Sequence, residues 1–151
     1  MRIAPAPHRL RPEADREPRV QCAALPWRRN GAGEVEVLLI TSRETRRWVI
    51  PKGWRMGAIG PGGTAAQEAL EEAGVLGRLG KKVVGKYAYD KRLRSGRVQH
   101  VQVRVFALEV LQELDDWREK DQRERLWTRP KEAARLVDER DLQRLLAGFA
   151  P

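Results

Sequence analysis

Three glutamates stand close together in one short, alanine-rich segment of the chain. Glu68, Glu71 and Glu72 are spaced i, i+3 and i+4, so they share one edge if the segment is an α-helix. Like charges at this spacing destabilise a helix unless a positive charge lies between them. Carboxylate oxygens suit Mg²⁺ and Mn²⁺, and Mg²⁺ commonly binds through a few carboxylates together with substrate phosphates. The spacing therefore indicates a divalent-cation site, and the alternative is a solvated acidic face that ends at Gly74.

These glutamates need a helix that is held against a sheet. The pattern predicts a helix from Thr64 to Ala73, with Ala66, Leu70 and Ala73 on the side opposite the carboxylates. Upstream, "RWVIP" predicts a strand, and a Pro-Lys-Gly turn followed by the loop "GAIGPGG" connects that strand to the helix. One face of the helix can thus pack on a sheet while the other presents the carboxylates.

The remaining strands and helices alternate along the chain. Strands are predicted at "RVQCAALPW" and "EVEVLLITS", which the turn "NGAG" joins as an antiparallel hairpin, and at "KVVGKYAYD" and "VQHVQVRVFALEVL". Helices are predicted at "PKEAARLV" and "ERDLQRLLAGF". This interspersed order favours an α/β sandwich around a mixed sheet.

The charge of the chain favours anionic partners. Its 151 residues are 41% hydrophobic and 34% charged, with a formal net charge of +9, which is typical of one globular domain with a basic surface. Residues 1–18 are rich in proline and scattered charge, so we expect a flexible leader before a domain at residues 19–151. The partner classes that fit this charge are nucleic acid, phosphorylated small molecules and an acidic membrane surface.

The sequence also bears on the compartment. No run approaches the eighteen or so apolar residues of a membrane span, and the N-terminus lacks the apolar segment of a secretory signal. The single cysteine, Cys22, cannot form an internal disulfide. These features predict a protein of the reducing cytoplasm that has no membrane partner.

Basic residues cluster in two segments on either side of the predicted helix in the sequence. The first segment contains Arg43, Arg46, Arg47, Lys52 and Arg55, and the second, "DKRLRSGR", contains Lys91, Arg92, Arg94 and Arg97. If both segments flank the glutamates, they form a collar for a polyphosphate, to which Arg19 and Arg28 of the first hairpin could contribute. The alternative for the second segment is a solvated hairpin tip.

Starting from Gly53, the chain resembles the Nudix hydrolases, whose signature in one-letter form is GX5EX7REUXEEXGU, with U an aliphatic residue. The matching positions, all in register, are Glu68, Ala69, Glu71, Glu72, Gly74 and Val75. Two positions depart from it, because Ile59 replaces a glutamate and Gln67 replaces an arginine. Over about residues 19–149, the order of segments and the tryptophans of "RWVIP", "DDW" and "RLW" are similar to the diphosphoinositol polyphosphate phosphohydrolase branch.

The resemblance implies a Nudix α/β/α sandwich and the hydrolysis of a phosphoanhydride by a metal-activated water. By position, Glu68 and Glu72 would be the main ligands of Mg²⁺ or Mn²⁺, and Glu71 would complete the metal site or polarise the water. A backbone carbonyl at Lys52 or Gly53 could add a ligand. Some members recruit a further acid from outside the signature, for which the candidates are Glu113, Glu119 and Glu124. Gln67 supplies no charge, so we expect slower catalysis or a looser metal site.

Several substrates stay open at this point. The first hypothesis is an anionic polyphosphorylated small molecule, either a diphosphoinositol polyphosphate or a dinucleoside polyphosphate. Within the same family, ADP-ribose, another nucleotide sugar or the 5′ end of RNA are alternatives, with RNA disfavoured because no aromatic stacking motif is present. A catalytically weakened phosphate-binding module is the alternative from another class. The three helix glutamates argue against it, because pure binding would not need them.

Overall fold

The structure, a computed structural model, describes residues 19–151, so the predicted leader lies outside the described residues. A seven-stranded sheet forms its centre. The strands are β1 (Arg19–Arg29), β2 (Val35–Thr41), β3 (Trp48–Val49), β4 (Lys52–Trp54), β5 (Val75–Arg92), β6 (Val98–Glu113) and β7 (Arg125–Thr128). The helices are α1 (Gly60–Glu68), which continues as a π-helical turn (Ala69–Ala73), a 3₁₀ turn (Lys120–Gln122), α2 (Pro130–Leu136) and α3 (Arg140–Ala147).

Strand β1 lies at the middle of the sheet and makes it mixed. It runs parallel to β6 and antiparallel to β2 and β4, while β5 and β6 form a long antiparallel hairpin. The predicted β1–β2 hairpin is confirmed, and Asn30 closes its turn by accepting hydrogen bonds from two backbone N–H groups through its side chain. Along one edge of β1, residues 21–23 pair with β4 and residues 27–29 pair with β2. The chain therefore passes from β3, which pairs with β2, to β4, which pairs with β1. Helix α1 follows β4.

The two faces of the sheet are covered by different helices. Alternate residues of β1 separate the cores: Ala23 and Leu25 face the cluster that includes α2 and α3, whereas Cys22 and Ala24 face the cluster that includes α1. The predicted α/β sandwich with an α/β/α layer order is therefore confirmed. Within residues 19–151, no helix has the length and apolar character needed to cross a membrane.

Two details of the predicted glutamate helix are wrong. The helix begins at Gly60 rather than Thr64, because Pro61 suits the first turn and buried Thr64 is already inside it, donating to the Gly60 carbonyl. The side chains packed on the sheet are Ala65, Ala69 and Ala73, whereas Ala66 and Leu70 are only partly buried. The π-helical turn closes with i→i+5 hydrogen bonds. This wider turn keeps Ala65, Ala69 and Ala73, which are spaced four apart, on the side of the helix that faces the sheet.

Two short strands were not predicted. The Pro-Lys-Gly segment, expected to be a turn, forms β4, and Arg125–Thr128 forms β7 along β2. Strands of three or four residues carry too little periodicity to be found in a sequence, since their pairing with β1 and β2 decides their conformation. Strand β4 matters for function, because it lies directly beside the glutamate helix.

Candidate active site

Glu68 and Glu72 lie against the backbone of β4. The Lys52 N–H donates to Glu72 Oε1 at 3.3 Å. Gly53 leaves the space that the Glu68 carboxylate fills, since a Cβ on Gly53 would lie 2.5 Å from Glu68 Oε2. The absence of a side chain at position 53 is therefore what allows the first carboxylate to approach the strand.

The two carboxylates converge in a partly buried place. Burial, followed by the negative charges of Glu72 and Glu71, raises the pKa of the Glu68 carboxyl to about 8. Burial also raises the pKa of Glu72, although the neighbouring Arg123 and Lys52 act in the opposite direction. Hydrogen bonding to the neighbouring Glu72 carboxyl raises the pKa of Glu68 further. The two carboxyl groups converge, and each makes it harder for the other to carry a charge. A divalent cation would stabilise both charges and would bind to their oxygens.

Glu71 faces other partners. Gln67 Nε2 donates to Glu71 Oε2 at 2.6 Å, and Arg118 Nη1 lies 3.1 Å from Glu71 Oε1. Thus Gln67, although uncharged, holds the third glutamate by a hydrogen bond. In the described range, no three His, Cys, Asp or Glu side chains are grouped closely enough to hold a metal ion. The geometry brings Glu68 and Glu72 together and leaves Glu71 to one side, while Ile59 is 48% exposed.

Arg123 is a site residue that the sequence analysis missed. Its side chain is only 7% exposed and lies between Glu72, at 3.2 Å, and Glu119, at 2.8 Å. It also donates to the Thr41 carbonyl at 3.0 Å. The sequence offered only a chemical indication of this residue, because a buried carboxylate such as Glu72 needs a cationic partner. Nothing in the spacing showed which arginine would serve.

The three candidate acids outside the signature occupy different places. Glu119 lines the same cavity as Glu68 and Glu72. Glu113 pairs with Arg125 at 3.4 Å, and Glu124 forms an exposed pair with Arg46 at 3.1 Å. Of the three, only Glu119 can contribute its charge directly to the carboxylate site.

The segment after β6 closes the C-terminal end of the glutamate helix. Trp117 Nε1 donates to the Glu72 carbonyl at 3.1 Å, and the Glu119 N–H donates to the Glu71 carbonyl at 3.1 Å. Arg125 Nη1 donates to the Ala73 carbonyl at 3.2 Å, and its guanidinium lies 3.9 Å from the centre of the Trp117 ring. These bonds satisfy the carbonyls that a helix end leaves unpaired and fix the glutamate backbone.

We expect Gly74→Ala to unfold at a clearly lower temperature than the wild type. Gly74 has φ +67°, and a Cβ there would lie 2.5 Å from Cδ2 of Trp117. The left-handed backbone and the displaced ring together cost at least about 2 kcal/mol of unfolding free energy. Thermal unfolding measures the effect, with Gly31→Ala as control because no atom of the described part of the chain lies within 4 Å of its Cβ position. Equal unfolding temperatures for the two variants would contradict this role of Gly74.

The carboxylates form one wall of a cavity of about 730 Å³, and among the described residues its lining also contains seven arginines and lysines along with the acids Glu44, Asp90 and Glu119. Five of the six predicted substrate-binding residues line it, namely Arg43, Lys52, Lys91, Arg92 and Arg94. Arg55 does not line it: β4 ends at Trp54, and Arg55 follows as an exposed residue. Arg47 and Arg123 add two cations to the lining, whereas Arg46 points to Glu124. The two basic segments of the sequence therefore meet at one cavity.

Lys52 is the cation most affected by this setting. Burial lowers the pKa of its ammonium group to about 8, whereas the charges of Glu72 and Glu139 act to raise it. Its Nζ lies 5.2 Å from the centre of the Tyr89 ring, whose hydroxyl donates to Gln21 Oε1 at 2.7 Å. Gln21 and Tyr89 also line the cavity and were not predicted, because neither belongs to a charged cluster.

Relatives and solved structures identify the family. No protein-family model matches the chain. Nudix hydrolase 12, mitochondrial, of Arabidopsis thaliana is 36% identical over 121 residues, covering 77% of this chain and 59% of that protein. Diphosphoinositol polyphosphate phosphohydrolase 3-beta of Bos taurus is 34% identical over 127 residues, covering 78% of this chain and 73% of that protein. The chain belongs to the Nudix hydrolase family.

The extent of the match differs among these proteins. The chain spans 59% of the length of Nudix hydrolase 12 and 64% of that of Nudix hydrolase 21, chloroplastic, of A. thaliana. A Caenorhabditis elegans Ap4A hydrolase binary complex superposes with a TM-score of 0.62 at 20% identity, covering 84% of this chain and 91% of that one. The NUDIX domain of Shewanella oneidensis NrtR complexed with ADP ribose superposes with a TM-score of 0.62 at 12% identity, covering 97% of this chain and 95% of that one. These two structures show that the fold is shared.

Proposed function

We propose that the protein is a metal-dependent hydrolase that cleaves a phosphoanhydride bond in a polyphosphorylated small molecule, such as a diphosphoinositol polyphosphate or a dinucleoside polyphosphate. The observation that carries this proposal is one cavity in which the converging Glu68 and Glu72 carboxylates face Arg43, Arg92 and Arg94. Carboxylates alone would repel a polyphosphate, and cations alone would bind it without activating water. Together they fit an anionic substrate and a divalent cation.

The residues present fit Mg²⁺ or Mn²⁺. The donors are carboxylate oxygens, which hard divalent cations prefer, and Nudix hydrolases generally need such ions. Glu68 and Glu72 would hold the ion, and Glu71 would complete the site or polarise the attacking water. When bound, the ion neutralises charge on the phosphate oxygens and activates water for attack. Arg123 meanwhile fixes the Glu72 carboxylate, and Gln67 fixes that of Glu71.

The distribution of cations supports a substrate with more than one diphosphate. Lys52 and Arg123 lie beside the carboxylates, and the Lys52 ammonium forms no ion pair with any residue of the described part of the chain. Arg92, Leu93 and Arg94 line the cavity from the end of β5 and the turn that follows it. The first pair of cations suits the bond that is cleaved, and the second suits further phosphates. The relatives named for diphosphoinositol polyphosphates and the structure named for Ap4A accord with this division.

A turnover panel tests the proposal. The panel contains diadenosine polyphosphates, diphosphoinositol polyphosphates, ADP-ribose and RNA with a 5′-triphosphate, each with Mg²⁺ or Mn²⁺. We expect the first two classes to have the highest kcat/KM. A higher value for ADP-ribose or RNA would assign the substrate to one of those alternatives, and binding without turnover of any compound would indicate a phosphate-binding module. A cytoplasmic location is a further part of this proposal, and cell fractionation would test it.

Replacing Arg92 and Arg94 together with Ala should raise KM for a polyphosphate-rich substrate by roughly tenfold, because charge-assisted contacts to phosphate are lost. For ADP-ribose, which has a single diphosphate, we expect a much smaller change, because only a longer anion should reach both the carboxylates and these residues. The kcat should stay nearly constant, since the carboxylate site is untouched. Added salt should reduce the difference between wild type and variant. Equal KM changes for both substrates, or none, would mean that the "DKRLRSGR" turn is a solvated hairpin tip.

A further inference from the structure

Arg47 lines the cavity, and hydrogen bonds hold both its backbone and its guanidinium. Its backbone N–H donates to Ser42 Oγ at 3.1 Å, and its carbonyl accepts from the Ser42 N–H at 2.8 Å. At the other end, Nη1 donates to Glu139 Oε2 at 2.6 Å. The side chain is 31% exposed and lines the cavity. Its guanidinium is therefore held in one place rather than free to move through the solvent.

Glu139 reaches this place from a distant part of the chain. It stands 92 residues after Arg47 and immediately before α3, and its side chain is only 8% exposed. Leu142 and Leu146 of α3 are fully buried in the core, so the start of that helix has little freedom. Glu139 itself does not line the cavity. It can act on a ligand only through the groups between them.

The burial of this carboxylate is not explained by stability. Burying a charged carboxylate costs desolvation that its attraction to a partner barely offsets, and among the residues that the structure describes the buried Glu139 Oε1 has no hydrogen-bond partner. Two apolar residues at these positions would pack at least as favourably. The charge of Glu139 acts on both Arg47 and Lys52, the two cations at this side of the cavity. The arrangement thus places an anion directly behind two groups that face the ligand.

We propose that Glu139 is a positioning residue that holds the Arg47 guanidinium at the cavity wall, where it contacts the phosphate groups of the substrate. The inference rests on the proposed function in one respect, because it assumes that phosphates occupy this cavity. It assigns to the start of the C-terminal helix α3 a role in binding. Arg47 Nη1 contacts Glu139 at 2.6 Å and also lies 3.8 Å from Asp138 Oδ2, so the other guanidinium donors are the groups available to phosphate oxygens.

Isothermal titration with inorganic tripolyphosphate in EDTA tests the proposal without requiring turnover, so a failure of catalysis is distinguishable from a failure of this inference. Glu139→Ala should weaken binding roughly five- to tenfold, because the guanidinium loses its fixed position. Arg47→Ala should weaken binding at least as much. The double variant should bind no more weakly than Arg47→Ala, since the loss expected from Glu139→Ala comes from the released Arg47 guanidinium, which the double variant no longer has.

Matched variants separate positioning from general damage. Asp141→Ala removes an acid from the first turn of the same helix, where Asp141 forms an exposed pair with Arg144, and should bind as the wild type does. Arg46→Ala removes the neighbouring arginine that pairs with Glu124, and should likewise leave binding unchanged. Glu139→Gln keeps an oxygen that accepts from Arg47, and should bind within about twofold of the wild type.

Three outcomes would overturn the proposal. Wild-type or tighter binding by Glu139→Ala would show that Glu139 does not help Arg47 to bind phosphate. Additive losses in the double variant would show that Glu139 acts independently of Arg47. Equal losses in Asp141→Ala and Glu139→Ala would show a general effect of helix α3. If Glu139→Ala does not fold, Glu139→Asp, whose shorter side chain cannot keep the 2.6 Å contact, provides the same comparison.

Discussion

Glu72→Gln should lower kcat on a dinucleoside polyphosphate by roughly 100- to 1,000-fold, the scale expected when one element of an electrostatic site is removed. The substitution keeps the shape of the side chain but deletes one of the two converging charges beside β4. The fold should survive, because Arg123 keeps its 2.8 Å contact with Glu119 and the repulsion between Glu68 and Glu72 disappears. Steady-state turnover at saturating Mg²⁺, together with thermal unfolding, measures both effects.

A surface glutamate supplies the control for this variant. Glu132 forms an exposed pair with Arg135 on α2, so Glu132→Gln should leave turnover unchanged. If Glu72→Gln retains wild-type kcat at saturating Mg²⁺, Glu72 does not hold the ion, and the assignment of the site is wrong.

Gly53→Ala should lower kcat by roughly 100-fold while changing the unfolding temperature little. The new Cβ would occupy the position of the Glu68 carboxylate. That carboxylate is the far end of a flexible side chain, so it can rotate away and the fold can persist. The cost falls on catalysis, because displacing a reacting group by about 1 Å can reduce a rate by this factor.

The matched control for Gly53 lies in the loop that follows β4. Within residues 19–151, a Cβ built on Gly57 has no neighbouring atom within 4 Å, so Gly57→Ala should retain activity. If Gly53→Ala were as active as Gly57→Ala, the contact between Gly53 and Glu68 would have no catalytic meaning. If it failed to fold, the Glu68 side chain would be less free to move than we infer.

The spacing of the glutamates was enough to predict a helix with carboxylates on its exposed side. It could not separate Glu71 from Glu68 and Glu72, because that division follows from the π-helical turn and from Gln67 and Arg118. An i, i+3, i+4 pattern describes an ideal α-helix. A single widened turn changes which carboxylates meet, and no residue in the segment marks it.

The basic collar could be predicted from charge clusters but not in detail. Arg43, Arg92 and Arg94 lie where two charged loops come together, and local composition was sufficient to find them. Arg55 belongs to the same cluster in the sequence but not to the cavity, because the strand that directs Lys52 ends before it. Membership of a cluster therefore does not determine the direction of a side chain.

Arg123 and Glu139 show the limit of sequence reasoning most clearly. Arg123 pairs with Glu72, and Glu139 pairs with Arg47, in each case through contacts between segments far apart in the chain. Such pairs depend on sheet order and on the placement of α3, neither of which follows from local patterns. The need for partners could be predicted, whereas their identity required the fold.

The most direct test of the account is the hydrolysis of diadenosine tetraphosphate by the wild-type chain, followed while Mg²⁺ is added, removed with EDTA and added again. We expect turnover that requires the ion, stops on chelation and returns when Mg²⁺ is restored. Turnover that EDTA leaves unchanged would contradict a role for Glu68 and Glu72 as metal ligands. Failure to hydrolyse this or any other phosphoanhydride with either Mg²⁺ or Mn²⁺ would contradict the proposed activity itself.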